Sequence, residues 1–409
     1  MNTLRKDAEK IYAHAIQCSL PDKAVKNCLA GMKLSENIVL ISVGKAAWTM
    51  ASAAMDMLGN KIKSGLVLTK YNHSCGALGN LEIIEAGHPI LDENSFRGTK
   101  RALELTEKLT ANDTVLFLLS GGGSALFELS ELEISELQDI NGQLIGCGAS
   151  IQEINTVRKR LSQVKGGRFA QKCAPAKVVG LMLSDVLGNQ PDMIASGPVC
   201  ADGTTCERAM QIVEKYKIKL SEKALNLLKI ETPKELPDVT YYICGDVHQL
   251  CKATAEICKQ LGYTPVLLTS DLCCEAREAG SFLASIARSH AENHKQLAFI
   301  AGGETVVHLK GKGMGGRNQE LVLSAAEGIA GLSNVAVFSV GSDGTDGPTD
   351  AAGGYVDGFT KEKLEQHNIC IADVLAQNDS YHALQHCDGL IKTGATGTNV
   401  NDVAVVLIQ

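Results

Sequence analysis

Short apolar segments that end abruptly in glycine or small polar residues recur along the chain and constrain its fold more than any other feature. The first, Asn37–Val43, is rich in β-branched residues and stops at Gly44 and Lys45, after which a helical pattern begins. The segments Thr114–Leu119 and Lys177–Leu183 end in the same way. Alternation of such strands with helices predicts a parallel sheet that helices cover on both faces.

A charged segment near the middle of the chain divides this pattern into two parts. It covers residues 219–239 and includes Pro233 and Pro237, and strand-like segments resume at its end. The length of 409 residues also suggests two domains. We therefore expect one α/β domain over residues 1–235 and a second over residues 236–409. Because ligands of such sheets bind at the carboxyl ends of strands, the active site is expected in the cleft between the domains.

The composition excludes several classes of protein. Asp and Glu number 46 against 39 Lys and Arg, which gives a net charge of -7, and aromatic residues make up only 4%. Nucleic acid is therefore not an expected partner, because it selects basic surfaces with aromatic stacking groups. No apolar run approaches the roughly 18 residues of a membrane span, and the first residues lack the apolar core of a secretory signal. A cytoplasmic protein without a membrane partner is expected.

Lys45 and the glycine-rich stretch Ser120–Ser124 each follow a predicted strand directly. Lys45 then lies on the first turn of a helix, where the helix dipole disfavours a cation unless an anion compensates it. In the stretch after the later strand, Gly121, Gly122 and Gly123 let backbone N–H groups approach a phosphate or carboxylate closely. The alternatives are a lysine that extends into solvent and a loose turn. No P-loop pattern occurs in the chain.

A second glycine-rich stretch, Gly311–Gly316, precedes Arg317 at the start of a predicted helix. It satisfies G-x-G-x-x-G, the pattern of dinucleotide-binding loops, but the carboxylate after the next strand, Asp343, lies well beyond the expected spacing of about 20 residues. The planar guanidinium of Arg317 suits bidentate binding of a carboxylate or phosphate. The alternative is a surface arginine on a flexible loop.

Asp343 and Asp346 belong to a carboxylate-rich stretch, residues 342–350, that follows another apolar segment. Two carboxylates at this spacing can hold Mg²⁺ or accept a proton, but Asp-Gly pairs are also ordinary turn formers. Asp185 is a single carboxylate at the end of its strand, and His88 is expected to be structural. Together the loops provide cations, backbone N–H groups and carboxylates, which are the components of phosphoryl transfer to a small anionic acceptor.

In their order along the chain, these motifs resemble those of the glycerate 2-kinase family, whose C-terminal half is called the MOFRL domain. They include S-V-G-K-A, L-S-G-G-G-S-A and S-D-V-L-G-N-Q-P-D-M-I-A-S-G-P in the first half, and G-G-R-N-Q-E, S-D-G-T-D-G-P-T-D-A-A-G and T-G-A-T-G-T-N-V-N-D in the second. The similarity extends from about residue 38 to residue 408. It implies a Rossmann-like first domain, a MOFRL-like second domain, and ATP- and Mg²⁺-dependent phosphorylation of D-glycerate at its C2 hydroxyl to give 2-phosphoglycerate.

The resemblance also implies roles for individual residues. Lys45 and Arg317 correspond to the catalytic lysine and arginine of the family, and we expect Asp185 to join them. Asp343 and Asp346 are the expected metal ligands. The expected nucleotide-binding residues are Ser120, Gly121, Gly122, Gly123, Ser124, Gly302, Gly303, Glu304, Gly315 and Gly316.

Two alternatives to a kinase stay open at this point. One is a nicotinamide-dependent hydroxypyruvate reductase, and the other is a sugar-acid sensor that binds its ligand without turnover. The expected partner is the small molecule D-glycerate, and a homodimer is left open.

Overall fold

The computed structural model describes residues 3–292 and 295–409, which form two compact units. The first unit is Pro21–Cys244. The second unit consists of the stretch up to Leu20 together with Gly245–Gln409. Each unit contains a six-stranded sheet with helices packed against it, which confirms the predicted α/β class.

The sheet of the first unit is parallel. Its strands are β1 (Ile38–Val43), β2 (Ile62–Lys70), β3 (Leu81–Ala86), β4 (Thr114–Leu119), β5 (Lys177–Leu183) and β6 (Val239–Gly245). They lie in the order β3-β2-β1-β4-β5-β6 and all run in the same direction. This is the strand order of Rossmann folds, as predicted, and its winding reverses between β1 and β4.

Both faces of this sheet are apolar because its central strands consist almost entirely of aliphatic and aromatic residues. In β4, Val115, Phe117 and Leu119 belong to one buried cluster, whereas Leu116 and Leu118 belong to the cluster on the other face. A strand that buries side chains on both faces must be covered by helices on both, and parallel crossovers supply them. The helices of the first unit are α2 (Pro21–Leu29), α3 (Ala47–Leu58), α4 (Glu93–Thr106), α5 (Gly123–Leu126), α6 (Ile134–Gly146), α7 (Ile151–Leu161), α8 (Arg168–Cys173), α9 (Cys206–Tyr216) and α10 (Glu222–Leu228).

The sheet of the second unit is mixed. Its strands are β7 (Thr264–Leu272), β8 (Leu297–Gly303), β9 (Val335–Gly341), β10 (Gly353–Asp357), β11 (Leu390–Ile391) and β12 (Asp402–Ile408). They lie in the order β11-β10-β9-β12-β8-β7, with β12 antiparallel to both β8 and β9 and β7 parallel to β8. The carboxyl ends of β8 and β9 therefore meet the amino end of β12 at one edge of the sheet.

Helices also alternate with the strands of the second unit. They are α11 (Val247–Gln260), α12 (Ala276–His290), α13 (Arg317–Gly328), α14 (Thr360–Gln366), α15 (Ile371–Gln377) and α16 (Ser380–His386). Leu283 of α12 and Leu321 of α13 share a buried cluster with Val337 of β9 and Val406 of β12. No helix among those described in either unit has the length and apolarity that a membrane crossing needs.

The first helix, α1 (Thr3–Cys18), belongs to the second unit although the chain then continues into the first. Its apolar face, on which Ile11 is fully buried, packs against α11 and β9. The division at the other end falls after Cys244, because β6 is the last strand of the first sheet. Compared with the domain expected over residues 1–235, the first unit thus lacks α1 and includes β6. The charged segment before β6 is a connection inside the first unit.

Candidate active site

The carboxyl ends of the strands in the first sheet gather a lysine, a histidine, a glycine-rich loop and an aspartate. We call this group, which consists of Lys45, His88, Gly121–Ser124 and Asp185, the Lys45 site. Its members follow β1, β3, β4 and β5 in that order. They lie where the winding of the sheet reverses, which is the place where sheets of this strand order bind ligands.

Hydrogen bonds join the turn after β1 to the loop after β4. The Lys45 N–H donates to Gly121 O over 2.9 Å, and the Ala46 N–H donates to Ser120 Oγ over 3.1 Å. Gly44 permits this approach, since its φ is +121° and a Cβ atom there would lie 2.2 Å from Ser120 Oγ. The two turns therefore hold the backbone of Lys45 in a fixed place beside the loop.

The first two glycines of the loop allow His88, Asp185 and Lys45 to approach its backbone closely. A Cβ atom on Gly121 would lie 2.6 Å from Asp185 Oδ2, and one on Gly122 would lie 3.0 Å from His88 Cδ2 and 3.3 Å from Lys45 Cγ. Only glycine lets three side chains approach a backbone so closely. The structure thus brings the sequence-predicted lysine, glycines and aspartate of this unit together.

The loop after β4 presents free backbone N–H groups. In the part of the chain that the structure describes, the N–H groups of Gly121–Ser124 donate no hydrogen bond. Lys45 likewise has no carboxylate at ion-pairing distance among the described residues. Successive N–H groups of this kind form a nest for phosphate or carboxylate oxygens, and an unpaired ammonium group strengthens it.

Burial and the charge of Lys45 control the protonation of the two neighbouring side chains. Burial lowers the pKa of His88, and the charges of Lys45, Lys70 and His73 lower it further, to about 4. His88 is therefore a neutral imidazole at neutral pH. Burial raises the pKa of Asp185, while the charge of Lys45 acts in the opposite direction. A carboxylate with a raised pKa accepts a proton more readily than an exposed aspartate does.

Three charged side chains meet in the second unit where β8 ends and β12 begins. We call Glu304, Arg317 and Asp402 the Arg317 site. Arg317, the first residue of α13, donates to Asp402 through Nε at 2.5 Å and Nη2 at 2.9 Å, and its Nη1 lies 2.9 Å from Glu304 Oε1. Asp402 is the first residue of β12 and lies between Gly303 of β8 and Gly341 of β9.

The Arg317 site contains two carboxylates for one guanidinium. Burial lowers the pKa of Arg317, but Asp402 and Glu304 outweigh burial and raise it. Arg317 was predicted to bind a carboxylate or phosphate bidentately, and in the structure it binds a carboxylate of its own chain in this way. The side chain of Asp402 is 8% exposed and that of Glu304 is 43% exposed. Glu304 is therefore the more accessible of the two partners.

Asp346 caps the start of α13. Its Oδ1 accepts from the Asn318 N–H over 3.1 Å, and its Oδ2 accepts from the N–H and the side-chain amide of Gln319 over 2.9 and 3.0 Å. Gly316 permits this contact, because a Cβ atom there would lie 2.2 Å from Asp346 Cγ. Burial raises the pKa of Asp346 to about 6, against the effect of these donors. Both of its carboxylate oxygens are thus occupied within the protein.

Asp343 is the more accessible of the two predicted metal ligands. Its side chain is partly buried, and its Oδ1 accepts from the Thr345 N–H over 2.9 Å. Among the described residues, no group of three or more His, Cys, Asp or Glu side chains is arranged to hold a metal ion. An ion at Asp343 would need most of its ligands from bound phosphates and water, which is usual for Mg²⁺.

The glycine-rich stretch Gly311–Gly316 is bound by its own chain. The Gly311 N–H donates to Asn378 Oδ1 over 3.0 Å, and the Met314 N–H donates to Asp379 Oδ1 over 2.8 Å. A Cβ atom on Gly311 would lie 2.2 Å from the carbonyl oxygen that precedes Asn378. Packing therefore explains the G-x-G-x-x-G pattern. The N–H groups of Gly311 and Met314 are not available to a phosphate.

Other glycines that were expected to bind nucleotide also face protein atoms. A Cβ atom would lie 2.3 Å from a side-chain sulfur at Gly302, 2.1 Å from a backbone oxygen at Gly303 and 2.2 Å from a hydroxyl at Gly315. Close packing is thus sufficient reason for glycine at these positions. Their part in nucleotide binding stays a prediction.

Two residues of these sites were not found by sequence reasoning. His88 was expected to be structural, yet it comes almost directly after β3, which is the signal that identified Lys45 and Asp185 at the ends of their strands. Asp402 begins a strand instead of ending one. It reaches the same edge as the ends of β8 and β9 only because β12 is antiparallel to both, which the apolar pattern of β12 does not reveal.

Known proteins resemble the whole chain. Residues 7–229 match a family model described as a domain of unknown function, DUF4147, and residues 297–402 match the MOFRL family. The D-glycerate 2-kinase of Thermotoga maritima is 50% identical over 412 residues, which cover 99% of each chain. The glycerate 2-kinase of Pyrococcus horikoshii is 39% identical over 433 residues, which cover 99% of this chain and 97% of that protein. A crystal structure of glycerate kinase from Thermotoga maritima, 50% identical, matches with a TM-score of 0.97 and full coverage of both chains.

Replacing Lys45 by Met should raise the pKa of His88. The charge of Lys45 helps to lower this pKa to about 4, but burial is the larger cause and stays, so the new value should remain below the ordinary 6.5. An NMR titration of the histidine Cε1–H resonances measures the shift. Lys63→Met is the control and should leave the pKa of His88 unchanged, because Lys63 is exposed and lies at the amino end of β2, away from the site. An unchanged His88 pKa in Lys45→Met would contradict the proximity of the two side chains.

Proposed function

Because this chain belongs to the glycerate 2-kinase family, we propose that it transfers the γ-phosphoryl group of ATP to the C2 hydroxyl of D-glycerate, which gives 2-phosphoglycerate and ADP. The main support from the structure is the Lys45 site, where an unpaired ammonium group lies beside successive free N–H groups. Phosphoryl transfer depends chiefly on positioning and on neutralising the charge that spreads over the phosphate oxygens. Groups held by backbone contacts serve both purposes.

The residues of the Lys45 site have separate roles in the proposed reaction. Lys45 and the N–H groups of Gly121–Ser124 bind oxygens of the transferred phosphoryl group. Asp185 orients the C2 hydroxyl and accepts its proton as the oxygen bonds to phosphorus and the bond from phosphorus to the leaving ADP oxygen breaks; its raised pKa suits this step. His88 is neutral at neutral pH and hydrogen-bonds to the substrate without adding charge. Asp346 is not proposed for proton transfer, because its oxygens already bind α13.

We propose that Arg317 serves the same reaction as a second catalytic cation. Asp402 fixes the guanidinium through two hydrogen bonds, whereas the more exposed Glu304 alone pairs with Nη1. An anionic oxygen of the substrates can displace Glu304 while Asp402 keeps the guanidinium in position. A cation that is held in place before the reaction stabilises developing negative charge without reorganising at that moment.

ATP is the proposed phosphoryl donor, and the residues present also fit a magnesium ion. Mg²⁺ takes few protein carboxylates and completes its shell with phosphate oxygens and water, and Asp343 provides a carboxylate of this kind. Asp346 does not fit, since both of its oxygens accept hydrogen bonds from the start of α13. When bound, the ion offsets the negative charge of the phosphate groups.

The products that the purified protein makes test this proposal. Incubation with D-glycerate and MgATP should consume ATP and give 2-phosphoglycerate, which phosphorus NMR identifies. A separate incubation with hydroxypyruvate and NADH should show no oxidation of NADH. Turnover in the second mixture alone would identify a reductase, and binding of glycerate without turnover would identify a sensor. A product that matches 3-phosphoglycerate would contradict transfer to the C2 hydroxyl.

Lys45→Ala and Arg317→Ala should each lower kcat by about 10²- to 10³-fold, because each removes a positive charge that stabilises the transition state. The double variant should lose less than the product of the two effects, since the groups act together. Steady-state kinetics measure these losses. Arg277→Ala is a matched control for the second change, because Arg277 also pairs with two carboxylates, Glu275 at 3.0 Å and Glu320 at 2.9 Å. It should lower stability without a comparable loss of kcat.

A different kinetic pattern would contradict the assignment of Lys45 and Arg317. If both single variants kept a near-normal kcat and only raised KM, the two cations would bind the substrate and the transition state equally. They would then be binding groups and not catalytic ones.

Asp343→Asn should raise the concentration of Mg²⁺ that gives half-maximal turnover, because a neutral amide attracts the cation less than a carboxylate does. Asp346→Asn should instead lower the Tm, since it weakens the cap of α13. Activity titrated with MgCl₂ at fixed ATP and thermal unfolding check these outcomes. Asp350→Asn is the control, because Asp350 is exposed and pairs with Lys392 at 2.9 Å. An unchanged Mg²⁺ dependence in Asp343→Asn would make Asp343 an ordinary turn residue.

A further inference from the structure

The last turn of α7 carries three consecutive cations, and only two of them have carboxylate partners. Lys159 and Arg160 are both fully buried and lie 3.2 and 3.5 Å from Asp202. Arg158 has no carboxylate at ion-pairing distance in the described part of the chain. The fold thus supplies counterions to the two structural cations of this turn but not to Arg158.

Arg158 contacts the glycine-rich loop of the Lys45 site. Its Nη2 donates to Ser124 O over 3.1 Å. Neither its Nε, which is inaccessible, nor its Nη1 has an acceptor among the described residues, and the side chain as a whole is partly exposed. Buried donors of folded proteins rarely lack a partner, because such a donor costs free energy. The guanidinium therefore has hydrogen-bonding capacity that the protein does not use.

Glu128 is the carboxylate whose charge acts on Arg158, but Lys165 already pairs with it. Lys165 Nζ lies 2.5 Å from Glu128 Oε2, and both side chains are buried. Burial lowers the pKa of Arg158 and that of Lys165, and Glu128 opposes burial in both. One carboxylate thus faces two cations. One positive charge beside the loop lacks compensation, which favours an anionic ligand.

Contacts of α7 anchor the helix that carries Arg158. One helical turn earlier, Asn155 Oδ1 accepts from Ser196 Oγ over 2.8 Å. The turn that contains Ser196 packs against the loop, since a Cβ atom on Gly123 would lie 2.7 Å from Ala195 Cβ. The helix that carries Arg158 is therefore anchored beside the loop, which helps to position a planar group for recognition.

We propose that Arg158 binds the carboxylate of the acceptor substrate and so selects hydroxy acids over neutral alcohols. The inference rests on the proposed function, in which Lys45 and the N–H groups of Gly121–Ser124 bind the phosphoryl group. The carboxylate then needs a different cation, and the planar fork of an arginine matches the two oxygens of a carboxylate. Arg158 has such a fork, touches the loop and lacks a counterion.

Kinetics with D-glycerate and with its neutral amide, D-glyceramide, test the proposal. The wild-type protein should prefer D-glycerate. Arg158→Met should raise KM for D-glycerate by about 10²-fold, should leave KM for ATP unchanged and should bring the kcat/KM values of the two acceptors close together. A structural role would not change this preference.

Arg168→Met is the matched control. Like Arg158, Arg168 donates to backbone carbonyl oxygens, but these belong to Ser162 at 2.7 Å and Ile230 at 3.1 Å and not to the loop. This change should lower the Tm and leave the preference between the two acceptors as it is. If Arg158→Met does not stay folded, Arg158→Lys keeps the charge and should still raise KM for D-glycerate by about tenfold, because an ammonium group cannot bind bidentately.

Calorimetric titration with D-glycerate alone separates this inference from the proposed function. If the wild-type protein binds D-glycerate and Arg158→Met does not, Arg158 binds the carboxylate even when no phosphorylation is seen, and only the proposed function fails. Unchanged affinity for D-glycerate in Arg158→Met would overturn the inference. A rise confined to KM for ATP would also overturn the inference, because Arg158 would then bind a phosphate of the donor. A wild-type protein that binds no D-glycerate would overturn it as well.

Discussion

The contact between the turns that follow β1 and β4 determines the arrangement of the whole Lys45 site. It consists of backbone hydrogen bonds and of the close approach of Gly44 to Ser120, so it does not depend on the rotamer of any long side chain. Both turns extend from central strands that are buried on their two faces. The position of Lys45 against Gly121 is therefore as rigid as the core, and His88 and Asp185 are placed relative to that pair.

The two glycine-rich loops of this chain show why composition alone does not identify an anion site. In Gly121–Ser124 the glycines let other side chains approach, and the N–H groups remain free in the described structure. In Gly311–Gly316 the glycines let residues 377–379 of the same chain approach, and Asn378 and Asp379 accept from the N–H groups of Gly311 and Met314. The second loop matches a nucleotide-binding pattern more closely, yet the N–H groups of Gly311, Gly313 and Met314 are already bound within the protein, whereas those of the first loop are not. The difference lies in where the N–H groups point.

Local patterns were sufficient to predict the α/β class, the parallel first sheet, and the approach of Lys45, the glycine loop and Asp185. The class and the sheet follow from the alternation of apolar strands with helices, and the meeting of the site groups follows from the rule that parallel strands end at one edge of their sheet. The partner of Arg317 could not be predicted, because Asp402 lies 85 residues away and on an antiparallel strand. The role of Asp346 at the start of α13 could not be predicted either. Its acidic stretch suggested a metal ligand, but only the three-dimensional contact through Gly316 shows a helix cap.

The packing of α1 with the second unit makes the first unit an insertion in the chain. The chain starts in the second unit, forms the whole first unit and then returns to the second unit at Gly245. During synthesis, the apolar face of α1 has no surface to cover until α11 and β9 have been made, which requires the entire inserted unit to emerge before them. A fragment that starts at Gly245 would leave the same patch uncovered on α11 and β9, and exposed apolar patches promote aggregation. The two units therefore differ as independent proteins: the first is one continuous segment, whereas the second is complete only when α1 joins the segment that starts at Gly245.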